Sequence, residues 1–175
     1  MIIDEDIVAG GVTPFIITKL IERHERERQR YRLLHDYYMG DHRILSRRKR
    51  GKNVANNRIM CNHAKYITDM TQSYLVGNPV TYAVSDEYDI EAIKNEYLEQ
   101  DMPSVDSEIV KNMSIYGKAY ELIYADEKSK PRSVRLDPEH TFVCYSQSAF
   151  EKPLFAVYYS VSYTHLRAHE TRHDL

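Results

Sequence analysis

The stretch MPSVDSEIVKNMSIYGKAYELIYAD, residues 102–126, decides the fold class because its hydrophobic period changes in the middle. Before Gly117 the apolar side chains recur at helical spacing, which predicts a helix with Ser104 as its cap. The positions expected to be buried on that helix are Val105, Ile109, Met113 and Tyr116. After Gly117 polar and apolar residues alternate, which is typical of a strand.

Three more strand patterns follow, at residues 133–137, 140–146 and 154–160. Turn-rich segments separate them. A group of helices followed by a group of strands predicts an α+β fold rather than an alternating α/β fold.

A long helix is predicted near the start of the chain, over residues 14–39. Thr13 is a suitable N-cap, Pro14 suits the first turn and Gly40 suits the C-terminal cap. The centre of this helix, ERHERERQRYR, is so charged that we expect it to bury little. It is therefore predicted to cross a surface or to contact a neighbouring molecule.

Two shorter helices are predicted at residues 61–76 and 89–100, with a short strand, VTYAV, between them at 80–84. Each helix carries an apolar stripe that predicts a buried face. The residues expected on those faces are Ala64, Ile67, Met70, Tyr74, Leu75, Ile90, Ile93 and Leu98.

In terms of domains, the sequence divides into a flexible N-terminal arm at residues 1–12, one α+β unit at 13–160 and a tail at 161–175.

The composition limits the classes of function. The 175 residues carry a formal net charge of -2, and no apolar run is long enough to span a membrane. No glycine-rich phosphate loop, G-x-S-x-G or H-E-x-x-H motif occurs, so we predict neither an enzyme nor a cofactor. Cys61 and Cys144 are expected to be free, buried thiols in a reducing compartment. The 15 tyrosines suit either a core or contacts between subunits.

One basic cluster stands out, the run RRKRGK, with Arg47, Arg48, Lys49, Arg50 and Lys52. Such a cluster can contact phosphates or an acidic partner surface. No aromatic residue is interleaved, so base stacking is not indicated. A solvated loop without a ligand explains the run equally well. A small nucleic-acid-binding regulator that uses the helix 14–39 and this loop is therefore one candidate function.

The tail VSYTHLRAHETRHDL contains His165, His169 and His173, which would share one face of a helix. Three histidines with an open position are a common catalytic zinc site, so a zinc hydrolase is another candidate. Histidine ligands need a folded second shell to orient them, and this tail offers none. The sequence therefore predicts no metal.

Four blocks together resemble the portal proteins of tailed bacteriophages, specifically the gp6-like family of siphophage portals. The blocks are YYMGDHRIL at 37–45, NNRIMCNHAKYITDMTQSYLVGNPVTY at 56–82, VKNMSIYGKAYELIYAD at 110–126 and PLFAVYY at 153–159. Their order and spacing match the family over most of residues 30–159. The second block is the most specific.

This resemblance implies a structural protein of the virion. Portal proteins form a dodecameric ring at one capsid vertex, assembled in the bacterial host cytoplasm, through which DNA is packaged and ejected. The implied partners are other portal subunits, capsid and scaffolding proteins, with no membrane. Terminase and head–tail adaptors are expected to bind only C-terminal regions outside this sequence. The expected fold is the portal wing, incomplete without stem and clip.

The resemblance assigns no role to the basic cluster at residues 47–52. We expect it to contact an acidic surface on an adjacent subunit, the scaffold or the capsid.

The tail, unlike the four blocks, does not resemble the portal family. Residues 161–175 resemble the translation of a synthetic, transposase-based sequencing adapter, which reads Val-Ser-Tyr-Thr-His-Leu-Arg-Ala-His-Glu in one frame. The three histidines are therefore interpreted as adapter-derived. The reading frame of the source gene is expected to continue differently after Ser160.

Overall fold

The computed structural model describes residues 1–4, 7, 10–48, 51, 55–85, 89–148 and 152–160. The described part contains four long helices and two small sheets, which confirms the predicted α+β class. The helices are α1 (Pro14–Met39), α2 (His63–Val76), α3 (Glu91–Glu99) and α4 (Met102–Tyr116). The strands are β1 (Ile2–Ile3), β2 (Tyr120–Ala125), β3 (Pro131–Leu136), β4 (Thr141–Ser146) and β5 (Pro153–Tyr158). No helix in these ranges is long and apolar enough to cross a bilayer.

Helix α1 begins and ends where its capping residues predict. The Thr13 hydroxyl accepts a hydrogen bond from the Ile16 amide, and Pro14 occupies the first turn. At the other end Gly40 has φ 91°, a left-handed conformation that costs glycine little, and its amide reaches the last carbonyls of the helix. The Gly40 position is also crowded, since an added Cβ would lie 3.2 Å from side-chain atoms of Met60 and Asn62.

The first sheet has the order β1-β4-β5, with β4 in the centre. Strand β5 pairs antiparallel with β4, and β1 pairs with it in parallel. The predicted flexible arm thus begins with a strand instead. Its terminal amino group donates to the Val143 carbonyl at 2.7 Å, which fixes the start of the chain to the sheet.

The second sheet is the hairpin of β2 and β3, which packs against α4. The change of period at Gly117 is confirmed, since α4 ends there with φ 75° and β2 begins three residues later. The predicted cap is wrong: Ser104 lies inside the helix, and Asp101 precedes its first turn. The predicted strand at 80–84 is also absent, and Tyr82 packs edge-on against Tyr97 of α3 instead.

The core lies between α1 and the first sheet. Its buried apolar members are Ile3, Leu20, Phe142 and Cys144. The prediction that the charged centre of α1 buries little is wrong, because His24 and Arg28 are both buried there. The prediction that both thiols are buried holds for Cys144 but not for Cys61, which is exposed.

Candidate subunit-contact surfaces

The basic cluster follows α1, and the structure describes two of its members. Arg47 and Arg48 are exposed side chains at the end of a short turn, while Lys49, Arg50 and Lys52 lie outside the described residues. The turn is closed by backbone hydrogen bonds from Leu45 to His42 at 2.9 Å and from Arg47 to Ile44 at 3.4 Å.

Arg58 holds this turn against the segment that leads into α2. Its guanidinium donates to the Leu45 carbonyl at 2.8 Å and also to the Arg47 carbonyl. Its positive charge therefore adds to that of Arg47 and Arg48 at one place on the surface. Sequence reasoning missed Arg58 as part of the cluster because it lies outside the basic run, six residues beyond Lys52. Its only signal was its place in the block NNRIM.

The two ends of the loop are joined to α1. The Asn62 amide, which also caps α2, donates to the Tyr38 carbonyl at 2.9 Å. His42 stacks on the Tyr37 ring with centroids 4.8 Å apart. These contacts fix the positions at which the basic cluster leaves and rejoins the helices.

A buried polar network joins α1 to the first sheet. The His24 Nδ1 atom lies 3.0 Å from the Tyr159 hydroxyl, and that hydroxyl donates to the Glu139 carbonyl. The tautomer that satisfies both contacts has its proton on Nδ1. The His24 ring also packs on Phe142 at 4.9 Å. Burial lowers the pKa of His24 below its ordinary value, because a charged ring at this position would lack hydration by water.

Arg28 lies one turn further along the same face. It forms an ion pair with Glu25 at 3.0 Å and approaches the His140 ring nitrogen at 3.3 Å. Two further arginines of α1 also have partners: Arg23 donates to the Ile2 carbonyl, and Arg32 pairs with Glu139. These guanidinium groups have partners within the chain, which does not favour α1 as a phosphate-binding helix and so weakens the regulator hypothesis.

A second ionic network joins α3 to the β2–β3 hairpin. Lys130 pairs with Glu96 and Glu99 at 3.3 and 2.8 Å. Arg132 pairs with Asp126 at 3.0 Å and approaches Glu96 at 3.5 Å. The backbone amide of Lys130 is the main cause of a lowered pKa at Asp126, and the Lys130 ammonium lowers that of Glu99. These contacts orient α3 relative to the hairpin.

The apolar stripes of α2 and α3 do not lie where the sequence predicted. Ile67, Met70, Tyr74 and Leu75 of α2, and Ile93 and Leu98 of α3, are all more than half exposed. The side of α2 that packs against α4 is polar, with Thr68 as its buried residue. These stripes are surfaces rather than parts of the core.

Metal sites were a further possibility. Within the described residues no three His, Cys, Asp or Glu side chains are grouped as metal ligands. The tail histidines His165, His169 and His173 lie outside the described residues, so their interpretation stays a prediction.

A mixed α+β unit with several buried polar side chains and broad exposed apolar faces is typical of a subunit that functions in an assembly. The family model described as "Phage portal protein, SPP1 Gp6-like" matches residues 17–171. The chain belongs to this family, which confirms the resemblance of the four blocks. The matched range includes residues 161–171, so the adapter interpretation of the tail also stays a prediction.

The chain is also similar to the portal protein of Bacillus phage SPP1, with 31% identity over 169 residues. That alignment covers 90% of this chain and 32% of the relative. The chain therefore spans about a third of the length of the relative that it matches.

Proposed function

We propose that this chain forms the wing-like part of a portal subunit, in a ring of identical subunits at one vertex of a phage capsid. DNA is packaged and ejected through the intact ring, which the family resemblance gives as dodecameric. The observation that carries the proposal is the family match across residues 17–171. Its role is structural, in the virion, without catalysis by this chain.

We propose a division of the chain that accompanies this role. Residues 13–160 form the wing-like unit, residues 1–12 precede it, and residues 161–175 are a non-native tail. Ring neighbours, capsid and scaffolding proteins contact the wing-like unit, while terminase and head–tail adaptors bind other parts of the subunit. The ring assembles in the host cytoplasm.

A chimera tests the proposal. The segment of the SPP1 portal protein that aligns with residues 17–160 is replaced by this chain's sequence, and rings are counted by electron microscopy beside the parental protein. We expect rings of the parental diameter that enter procapsids. A soluble, folded chimera that forms no rings would refute the role.

The basic cluster has a proposed role within the same assembly. Arg47 and Arg48 are exposed, and Arg58 adds a third guanidinium beside them. We propose that this cluster, with Lys49, Arg50 and Lys52, binds an acidic surface on a neighbouring subunit, scaffold or capsid. Charge attraction of this kind guides association and is weakened by salt.

The test is charge reversal in the chimera, Arg47→Glu, Arg48→Glu and Arg50→Glu together. The control reverses exposed charges elsewhere, Arg26→Glu and Arg30→Glu on α1. Reduced ring or procapsid assembly in the cluster variant alone is the expected result. Assembly equal to that of the control would count against the cluster.

A further inference from the structure

We propose that the outward stripe of α2, defined as Tyr66, Ile67, Met70 and Tyr74, is the surface that a second copy of this chain binds. Its receiving site on the second copy is the pocket between α3 and the β2–β3 hairpin. This inference rests on the proposed function and names the contact that joins neighbouring subunits.

Tyr66, Met70 and Tyr74 follow one another at intervals of four residues, which places them on one helix face. Ile67 lies three residues before Met70 and borders the same face. Tyr66 is 64% exposed and Tyr74 is 89% exposed, while Ile67 and Met70 are both more than half exposed. None of the four is acidic or basic. A contiguous apolar face with tyrosine and methionine has the composition of an interface core.

The opposite side of the same helix is polar and already occupied. Gln72 donates to the Ser107 hydroxyl at 2.7 Å and to the Ser107 carbonyl at 3.2 Å. The Asp69 carboxylate accepts a hydrogen bond from the Tyr38 hydroxyl, and the buried Thr68 hydroxyl accepts one from Ser114 at 3.4 Å. Rotating α2 to bury its stripe would break these hydrogen bonds, so the stripe is held outward by the contacts behind it.

The receiving pocket has a volume of about 450 Å³ and a largely apolar lining. Ile123 at its edge is 70% exposed, and Ile93 is also mostly exposed. The ion pairs of Lys130 with Glu96 and Glu99 span α3 and the hairpin, so the pocket exists before a partner arrives. A preformed pocket lowers the ordering cost of binding.

The size of the stripe suits a subunit contact. Tyr66 and Tyr74 together offer roughly 300 Å² at their exposures, since an aromatic side chain presents about 150–250 Å². Ile67, Met70 and the adjoining Leu75 enlarge this area toward the ~800 Å² that a standard interface buries on each partner.

The direction of the contact is compatible with a ring of copies. Because stripe and pocket are different surfaces, their contact is head-to-tail. Such contacts form a ring when the rotation between successive copies closes, and an open filament when it does not.

Crosslinking in the intact chain tests the pairing directly. Cys61→Ser removes the exposed thiol, and the buried Cys144 is retained. Tyr74→Cys and Ile123→Cys are then introduced together, and a short bis-maleimide is added. We expect a ladder of covalent dimers, trimers and larger species, because each copy carries both halves of the contact.

Two controls make the result specific. Phe15→Cys replaces Tyr74→Cys in a matched pair, since Phe15 is another largely exposed aromatic residue and lies outside both surfaces. Tyr74→Cys alone tests face-to-face association. No ladder from the double variant, an equal ladder from the Phe15 pair, or a dimer from Tyr74→Cys alone would each overturn the proposal.

Sedimentation velocity gives an independent measurement. Ile67→Glu places a charge on the stripe, whereas Phe15→Glu places one elsewhere. We expect the dissociation constant of the oligomer to rise about tenfold or more for Ile67→Glu only, as for a central interface residue. Equal effects, or a monomeric parent at all concentrations, would contradict the proposal.

Failure of this inference is distinguishable from failure of the proposed function. Chimeric rings without crosslinking would leave the portal role intact and refute the stripe. A crosslinked ladder without chimeric rings would support the stripe and refute the portal role.

Discussion

Protonation of His24 should destabilise the fold as the pH falls below neutrality. The side chain is 1% exposed, and no group among the described residues hydrogen-bonds its Nε2 atom. With the first proton on Nδ1, a second proton must go to Nε2, where it has no acceptor. Burial is the main cause of the lowered pKa of His24, since the effects of nearby carboxylates and cations oppose one another.

The sign and size of the effect follow from linkage. In the unfolded chain the imidazole has its ordinary pKa of 6.5, so it binds a proton that the folded state excludes. The stability contributed by the neutral ring is fully present above that pKa and is lost as the pH falls from there toward the folded pKa. The loss has a slope of at most ~1.4 kcal/mol per pH unit, which gives at most about 2 kcal/mol at about pH 5.

Urea unfolding followed by far-ultraviolet circular dichroism, between about pH 5 and about pH 7.5, measures this loss. His24→Gln retains a side-chain amide donor for the Tyr159 hydroxyl but does not titrate, so its free energy of unfolding should be nearly flat over this range. Tyr159→Phe is the matched control: it loses stability at every pH and keeps the slope. A flat parental profile, or a His24→Gln profile as steep as the parental one, would refute the reasoning.

Three other substitutions or reactions have definite expected outcomes. Phe142→Ala removes a nearly buried ring that packs on His24 and should lower the free energy of unfolding by about 3–5 kcal/mol in the same assay; a loss below about 1 kcal/mol would contradict the core assignment. Arg58→Ala frees the Leu45 and Arg47 carbonyls, so trypsin should cleave after Arg47 several-fold faster, with Arg26→Ala as control; unchanged cleavage would argue against the contact. Cys61 should react with a thiol reagent at once, whereas Cys144, whose pKa is raised by burial, should react only on unfolding; two equally fast thiols would be inconsistent with the structure.

The elements with strong local signals were predictable from the sequence. Helix α1 has its Thr13 and Gly40 caps, and the strands after Gly117 have clear alternation, so their bounds were recovered within a few residues. The strand predicted at 80–84 is absent from the structure. A run of β-favouring residues forms a strand only where another strand offers hydrogen bonds.

The burial of the helices was harder to predict for a different reason. Hydrophobic periodicity tells which face of a helix is apolar, but not whether the cover is the same chain or another one. In our interpretation, the outward side chains of Ile67 and Met70 are covered by another chain. The pairing of His24 with Tyr159 depends on a contact 135 residues apart, which no local pattern records.

The distribution of polar and apolar residues has a physical consequence for assembly. Helix α1 is fixed to the sheet by the contacts of His24 with Tyr159 and of Arg28 with His140, which need one particular geometry. Helix α2, in contrast, turns Ile67 and Met70 outward. Directional contacts inside the chain fix the shape of the subunit, since they tolerate little displacement. Apolar contacts between chains are less directional, and their stabilisation grows with the apolar area that they bury, which suits the association of identical copies. A subunit organised in this way gains stability when those surfaces are covered by a partner.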